Sequence, residues 1–109
     1  MPEEPSTPQD PISSDLVRED ASFADIVEEF VNGLDDRLKN MEQAVRASDF
    51  EALRSAAHQL KGSGGGYGYP VLTEHAARLE QQAKANLVDE CFDQLAVLKD
   101  LVSRVVVGP

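Results

Sequence analysis

Ala57-His58-Gln59-Leu60-Lys61-Gly62-Ser63 stands late in a segment whose apolar residues repeat with a helical period. On a 3.6-residue turn, Phe50, Leu53, Ala57, Leu60, Gly64 and Tyr67 form one stripe, and Glu51, Arg54, Ser55, His58, Lys61, Gly62 and Gly65 fall on the flank beside it. The segment therefore reads as an amphipathic helix, opened by the capping-box pattern Ser48-Asp49-Phe50-Glu51. Lys61 lies one turn C-terminal to His58 and Arg54 one turn N-terminal, so both cations can lean over the same imidazole. Gly62, at i+4, leaves bare backbone where a side chain would cover the ring. A helix-interior glycine costs roughly 1 kcal/mol relative to alanine, so this one points to an approach that must stay open. Such a histidine suits receiving an anionic group from another protein.

Upstream of this helix, Ser22 with Asp25 forms a weaker capping box. Phe23, Ile26, Val27, Phe30, Leu34, Leu38, Met41 and Val45 then keep helical spacing to about Ala47, with Gly33 on the polar side, bending the helix without ending it. Almost no loop separates the two helices, which favours antiparallel neighbours. Downstream, Gly62, Gly64, Gly65 and Gly66 crowd the end of the histidine helix, so packing rather than propensity must hold it. Pro70 suits the first turn of a third helix with the stripe Leu72, Ala76, Leu79 and Ala83, ending near Ala85. Asn86 caps a fourth, in which Val88, Cys91, Phe92, Leu95, Leu98, Leu101, Val102 and Val105 keep the period to Val107 before Gly108-Pro109 stops it. Val105 to Val107 would suit a strand equally well but have no strand partner in view. Four amphipathic helices with short turns predict an all-α, antiparallel up-down-up-down four-helix bundle over residues 15–109. Before it, residues 1–14 read as a flexible tail of prolines and acidic and polar residues, and Asp15 to Asp20 can add a short helical turn, so the N-terminal extension is flexible or partly helical.

The whole chain has 109 residues and a formal net charge of −10. That length fits one domain, and that charge argues against a nucleic-acid partner, although Arg46, Arg54, His58 and Lys61 cluster mid-chain. No apolar run approaches the roughly 20 residues of a membrane helix, and no basic-then-apolar leader opens the chain. The expectation is a cytoplasmic protein, and Met1 with the proline-rich start favours a free-standing one over a piece of a larger kinase. The single Cys91 reads as a small core residue in a reducing compartment. His75 has no companion motif and reads as a solvated histidine; with His58 it lacks the further ligands a metal site needs, so no metal is expected. The glycine run is no phosphate-cradling loop, because no strand precedes it and no Gly-Lys-Ser/Thr ending follows. A hydrolytic enzyme using His58 as base lacks a nucleophile and a carboxylate orienter.

The run Ala57 to Ser63, continued through Gly68, Leu72, Ala76, Leu79 and Glu80, resembles the histidine-containing phosphotransfer (HPt) family. Ser48-Asp49 and Phe30 agree with that pattern, and the resemblance covers roughly residues 23–107. Gly64-Gly65-Gly66 and Tyr67 depart from it, which touches the end of the helix and not the histidine. The resemblance implies a four-helix bundle that shuttles a phosphoryl group between receiver-domain aspartates in two-component phosphorelays. His58 would be the phosphoacceptor. Lys61, and less directly Arg54, would support the phosphoryl group, although a salt bridge to Glu51 is an equally cheap use of Arg54. Gly62 would keep the ring open, and Gln59, Ser55 and Gly65 would belong to the docking face. The partners implied are a response-regulator receiver domain and a sensor or hybrid histidine kinase, with no cofactor on this chain and Mg²⁺ brought by the receiver. The implied protein is a monomeric phosphoryl carrier, not an enzyme with its own ATP site. The competing expectation is a helical adaptor that binds a receiver without accepting phosphate.

Overall fold

The computed structural model describes residues 10–108. Six α-helices follow one another: α1 (Asp15–Glu19), α2 (Ala24–Asn32), α3 (Leu34–Arg46), α4 (Phe50–Gly66), α5 (Pro70–Lys84) and α6 (Val88–Ser103), with a 3₁₀ turn at Ala21–Phe23. No β-strand is present among the described residues. The apolar stripes read from the sequence meet in one core: Leu34, Leu38, Met41 and Val45 from α3, Leu53, Ala57 and Leu60 from α4, Leu72, Ala76 and Leu79 from α5, and Cys91, Leu95 and Leu98 from α6. Each of α3 and α5 packs against both α4 and α6, so the four long helices close around that core. A fully buried leucine contributes about 2 kcal/mol by leaving water, which is what holds a helix as rich in glycine as α4.

The turns differ from the sequence expectation in a consistent way. After α3, α4 and α5 the chain places Ser48 (φ 57°), Gly68 (φ 93°) and Asn86 (φ 55°) in the left-handed region. At each, two backward bonds close the helix: Ser48 to Val45 and Asp49 to Ala44, Gly68 to Gly65 and Tyr69 to Gly64, Asn86 to Ala83 and Leu87 to Gln82. This is the paired 5→2 and 6→1 pattern of a Schellman ending. Ser48 and Asn86, expected as N-caps, therefore end the preceding helices instead. The N-cap of α4 is Asp49, whose carboxylate accepts from the Ala52 amide, and α6 starts after Leu87 with no side-chain cap. Ser22 likewise caps nothing: Asp20 accepts from the Ser22 amide and hydroxyl, and α2 begins only at Ala24. The long first helix expected through Ala47 is divided at Gly33 into α2 and α3. Phe23, Ile26 and Phe92, placed on core stripes by their spacing, are exposed.

Both ends of the described chain come together. Helix α6 stops at Ser103, not Val107, and Val105 forms an isolated parallel bridge with Ile12. The Ile12 amide donates to the Arg104 carbonyl and the Val106 amide to the Ile12 carbonyl, each at 2.8 Å. Ser14 is fully buried, caps α1 by accepting from Val17, and donates to the Tyr67 carbonyl at 2.7 Å. A Cβ at Gly68 would collide with Ser14 and Leu16, so glycine is required there by space as well as by its positive φ. The tail expected through Ser14 thus gives way to packed chain by Ile12; residues 1–9 lie outside the described residues.

Candidate functional site

His58 occupies the middle of α4, on the flank beside the buried row Leu53-Ala57-Leu60. Its side chain is 63% exposed and its Nδ1 lies 3.0 Å from Oε2 of Glu80, which reaches across from α5 and is itself only 7% exposed. The other oxygen of that carboxylate, Oε1, is 2.7 Å from Nζ of Lys61. One buried carboxylate therefore ties together the imidazole and the ammonium. Its hydrogen bond from Lys61, and less strongly that from His58, hold Glu80 below the usual carboxylate range against the opposing effect of burial.

The proton positions on the ring follow from this. An ionised carboxylate only accepts, so the nitrogen facing it must donate, and Nδ1 carries the proton. In the neutral ring Nε2 then holds the lone pair, on an imidazole that is mostly in solvent. Beside it, a Cβ added to Gly62 would meet nothing within 4 Å, so internal packing does not demand glycine at this position. Gln59 and Ser55 are exposed on the same helix.

Other residues singled out from sequence have different surroundings. Arg54 does not lean over the ring: its Nη2 lies 3.7 Å from Glu51 Oε2 on its own helix, and with Phe50, Ala83, Lys84 and Asn86 it lines an open cleft at the foot of α4 and α5. Gly65 is exposed, yet a Cβ there would come 3.1 Å from Oγ1 of Thr73, so its lack of a side chain also serves the contact with α5. Arg46 pairs with Glu42 at 3.0 Å. His75 is not freely solvated: it is half-buried, and its Nδ1 accepts from the side-chain amide of the buried Gln94 at 2.9 Å. Burial pulls its imidazole below the usual value, with Arg78 adding to the effect. Cys91 is fully buried, and burial raises its thiol. Among the described residues, no group of three or more His, Cys, Asp and Glu side chains could hold a metal ion, and no helix is long and apolar enough to cross a membrane.

Glu80 is the residue whose role the sequence reading missed: it is the carboxylate orienter that His58 was expected to lack. It is 22 positions from His58, on another helix, and the available signal was a glutamate following Leu79 on the buried edge of the α5 stripe. The family model described as the Hpt domain matches residues 25–107, which takes in His58, Lys61, Gly62 and Glu80. No curated protein and no solved structure gives a significant match to the chain.

Proposed function

The chain belongs to the Hpt domain family, and from that premise we propose that it carries a phosphoryl group on Nε2 of His58, exchanging it with an aspartate of a receiver domain. Hpt domains act in the phosphorelays of two-component signalling, meeting receiver domains and histidine kinases as phosphocarriers rather than as kinases. The observation that carries the assignment to His58 is the Glu80 carboxylate on Nδ1, which leaves the lone pair on the other nitrogen of an exposed ring.

In the forward step the Nε2 lone pair attacks the phosphorus of the receiver's aspartyl phosphate. The N–P bond forms as the P–O bond to the aspartate breaks, and the aspartate leaves as a carboxylate. The ring becomes positively charged, with its proton still on Nδ1 and facing Glu80. The return step reverses this. Such a transfer passes through a loose transition state, so positioning and charge neutralisation are what the protein must supply. Lys61, one carboxylate away from the ring, is the ammonium that faces the incoming charge; Mg²⁺ comes with the receiver. Arg54 lies one turn N-terminal to His58 on α4, and Gly62, Gln59, Ser55 and Gly65 form the open wall against which the receiver docks.

The supporting bundle is taken as up-down-up-down over α3 to α6, because each of its three connections is a Schellman turn that restarts a helix at once. A monomer that works in the cytoplasm beside its receiver and its sensor or hybrid kinase fits a carrier without an ATP site. The test is transfer from a ³²P-labelled receiver. The expected product is acid-labile, base-stable label on the wild-type chain and none on His58→Gln. Label persisting in His58→Gln overturns the assignment, and an unlabelled wild type whose His58→Gln variant binds receiver equally well identifies an adaptor instead.

A further inference from the structure

We propose that Thr73 is a positioning residue for the His58 site: its hydroxyl, lodged between two backbone groups of α4, holds the helix of His58 and Lys61 in register with the helix of Glu80. Oγ1 of Thr73 donates to the Lys61 carbonyl at 2.6 Å and accepts from the Gly65 amide at 2.7 Å. These two groups are the acceptor and donor of a single i→i−4 pair in α4, so a hydroxyl from α5 enters the hydrogen-bond ladder of the helix that bears the histidine. Both bonds lie at the short side of the range for their kind, and each leaves little room for sliding.

The glycines that end α4 make this entry possible. A Cβ at Gly64 would stand 3.1 Å from Cβ of Leu72 and from both the amide nitrogen and Oγ1 of Thr73, and a Cβ at Gly65 would stand 3.1 Å from the same oxygen. Side chains at these positions would push α5 away from α4. The glycine run, which the transfer chemistry does not use, is thus accounted for at two of its positions by a close helix contact organised around one hydroxyl.

The contact bears on the site because of its place. Thr73 and Glu80 are seven residues apart and so share one face of α5, two turns from each other. Lys61 and His58 are one turn apart on α4. The helices are consequently fixed at two points, Thr73 on the Lys61 carbonyl and Glu80 on the His58 ring and the Lys61 ammonium. Otherwise the two helices share the apolar core that includes Ala57, Leu72 and Ala76, which exerts no directional hold. A relative displacement of the helices by about 1 Å in the direction of the bond would stretch the 3.0 Å contact of Glu80 with Nδ1 out of hydrogen-bond range.

The transfer readout rests on the phosphocarrier reading above; the nitrogen shifts of His58, read by long-range ¹H–¹⁵N NMR on the full chain, do not. Thr73→Val keeps the shape and removes the hydroxyl. It should slow transfer from a phosphorylated receiver about tenfold, since misplacements near 1 Å have large effects on rate, and move the His58 nitrogen shifts toward those of Glu80→Gln. Thr73→Ser should restore both, with transfer within about twofold of wild type, because the hydroxyl and not the methyl group is responsible. Gly65→Ala perturbs the same contact from α4: its Cβ would stand 3.1 Å from Oγ1 of Thr73, so the His58 nitrogen shifts should change as in Thr73→Val, while the circular-dichroism spectrum stays helical because alanine favours helix. Wild-type shifts and rates in both Thr73→Val and Gly65→Ala would overturn the proposal, as would a serine variant no better than the valine one. If no receiver labels the wild type, the phosphocarrier reading fails, and the nitrogen shifts still decide the role of Thr73.

Discussion

Glu80→Gln isolates the charge of the buried carboxylate while keeping its shape. In the native site Oε2 is 3.0 Å from His58 Nδ1 and Oε1 is 2.7 Å from Lys61 Nζ. A hydrogen bond to a charged group contributes about 1.5–3 kcal/mol. The imidazole is 63% exposed, so solvent screening reduces its share to about 1–1.5 kcal/mol. If that bond strengthens as the ring takes on positive charge, its loss slows phosphoryl transfer about tenfold. The Lys61 side chain is 35% exposed, and its lost ion pair should lower stability by about 1 kcal/mol. The pH dependence has a definite sign. Glu80 is held below its unfolded value in the folded protein, so its contribution is present above about pH 4.5 and is lost as the pH falls through the folded value. Glu80→Gln should therefore flatten the acid side of the stability profile. Rapid-quench transfer from labelled receiver measures the rate, and urea unfolding between pH 7 and pH 3 measures the rest. A variant that transfers at the wild-type rate, with Nδ1 of His58 still protonated, would refute the orienting role of the carboxylate.

Two further outcomes are expected. Gly62→Gln should leave the circular-dichroism spectrum and melting point near wild type, because nothing lies within 4 Å of the added Cβ, yet reduce transfer by tenfold or more through crowding of the ring; an undiminished rate would remove the reason given for that glycine. His75, with its imidazole depressed by burial, binds its proton less readily in the folded than in the unfolded chain, so stability should decline as the pH drops below about 6.5. His75→Gln should lessen that decline in urea unfolding at pH 7.5 and 5.5, and an unchanged slope would show that burial beside Gln94 does not depress the His75 imidazole.

Much of the bundle was legible because helix formation with a buried face is a local, periodic property. Leu34, Leu38, Met41 and Val45 are spaced for one face, and that face is buried. The misreadings are physical ones. Ser48 and Asn86 belong to residue types that cap helix N-termini, but Asn tolerates the left-handed conformation that ends a helix, and Ser48 adopts it as well. With turns this short one helix ends where the next begins, so the two signals overlap within one or two positions. Phe23, Ile26 and Phe92 keep the period and are exposed, because the period tells which residues share a face and not how far a neighbouring helix extends to cover it. Val105 found its partner in Ile12, more than ninety residues earlier, a pairing that no window of sequence contains.

Sequence alone determined the helical stripes, the histidine with its lysine and glycine on a single exposed flank, and the family to which those residues belong, since all of these lie within a few turns of one helix or its immediate successor. Tertiary structure decided that Lys61 and His58 share the Glu80 carboxylate, that Nδ1 carries the proton, and that the glycines after Lys61 admit Thr73. These depend on how α5 lies against α4, and that is set by the close fit of side chains distant in the chain.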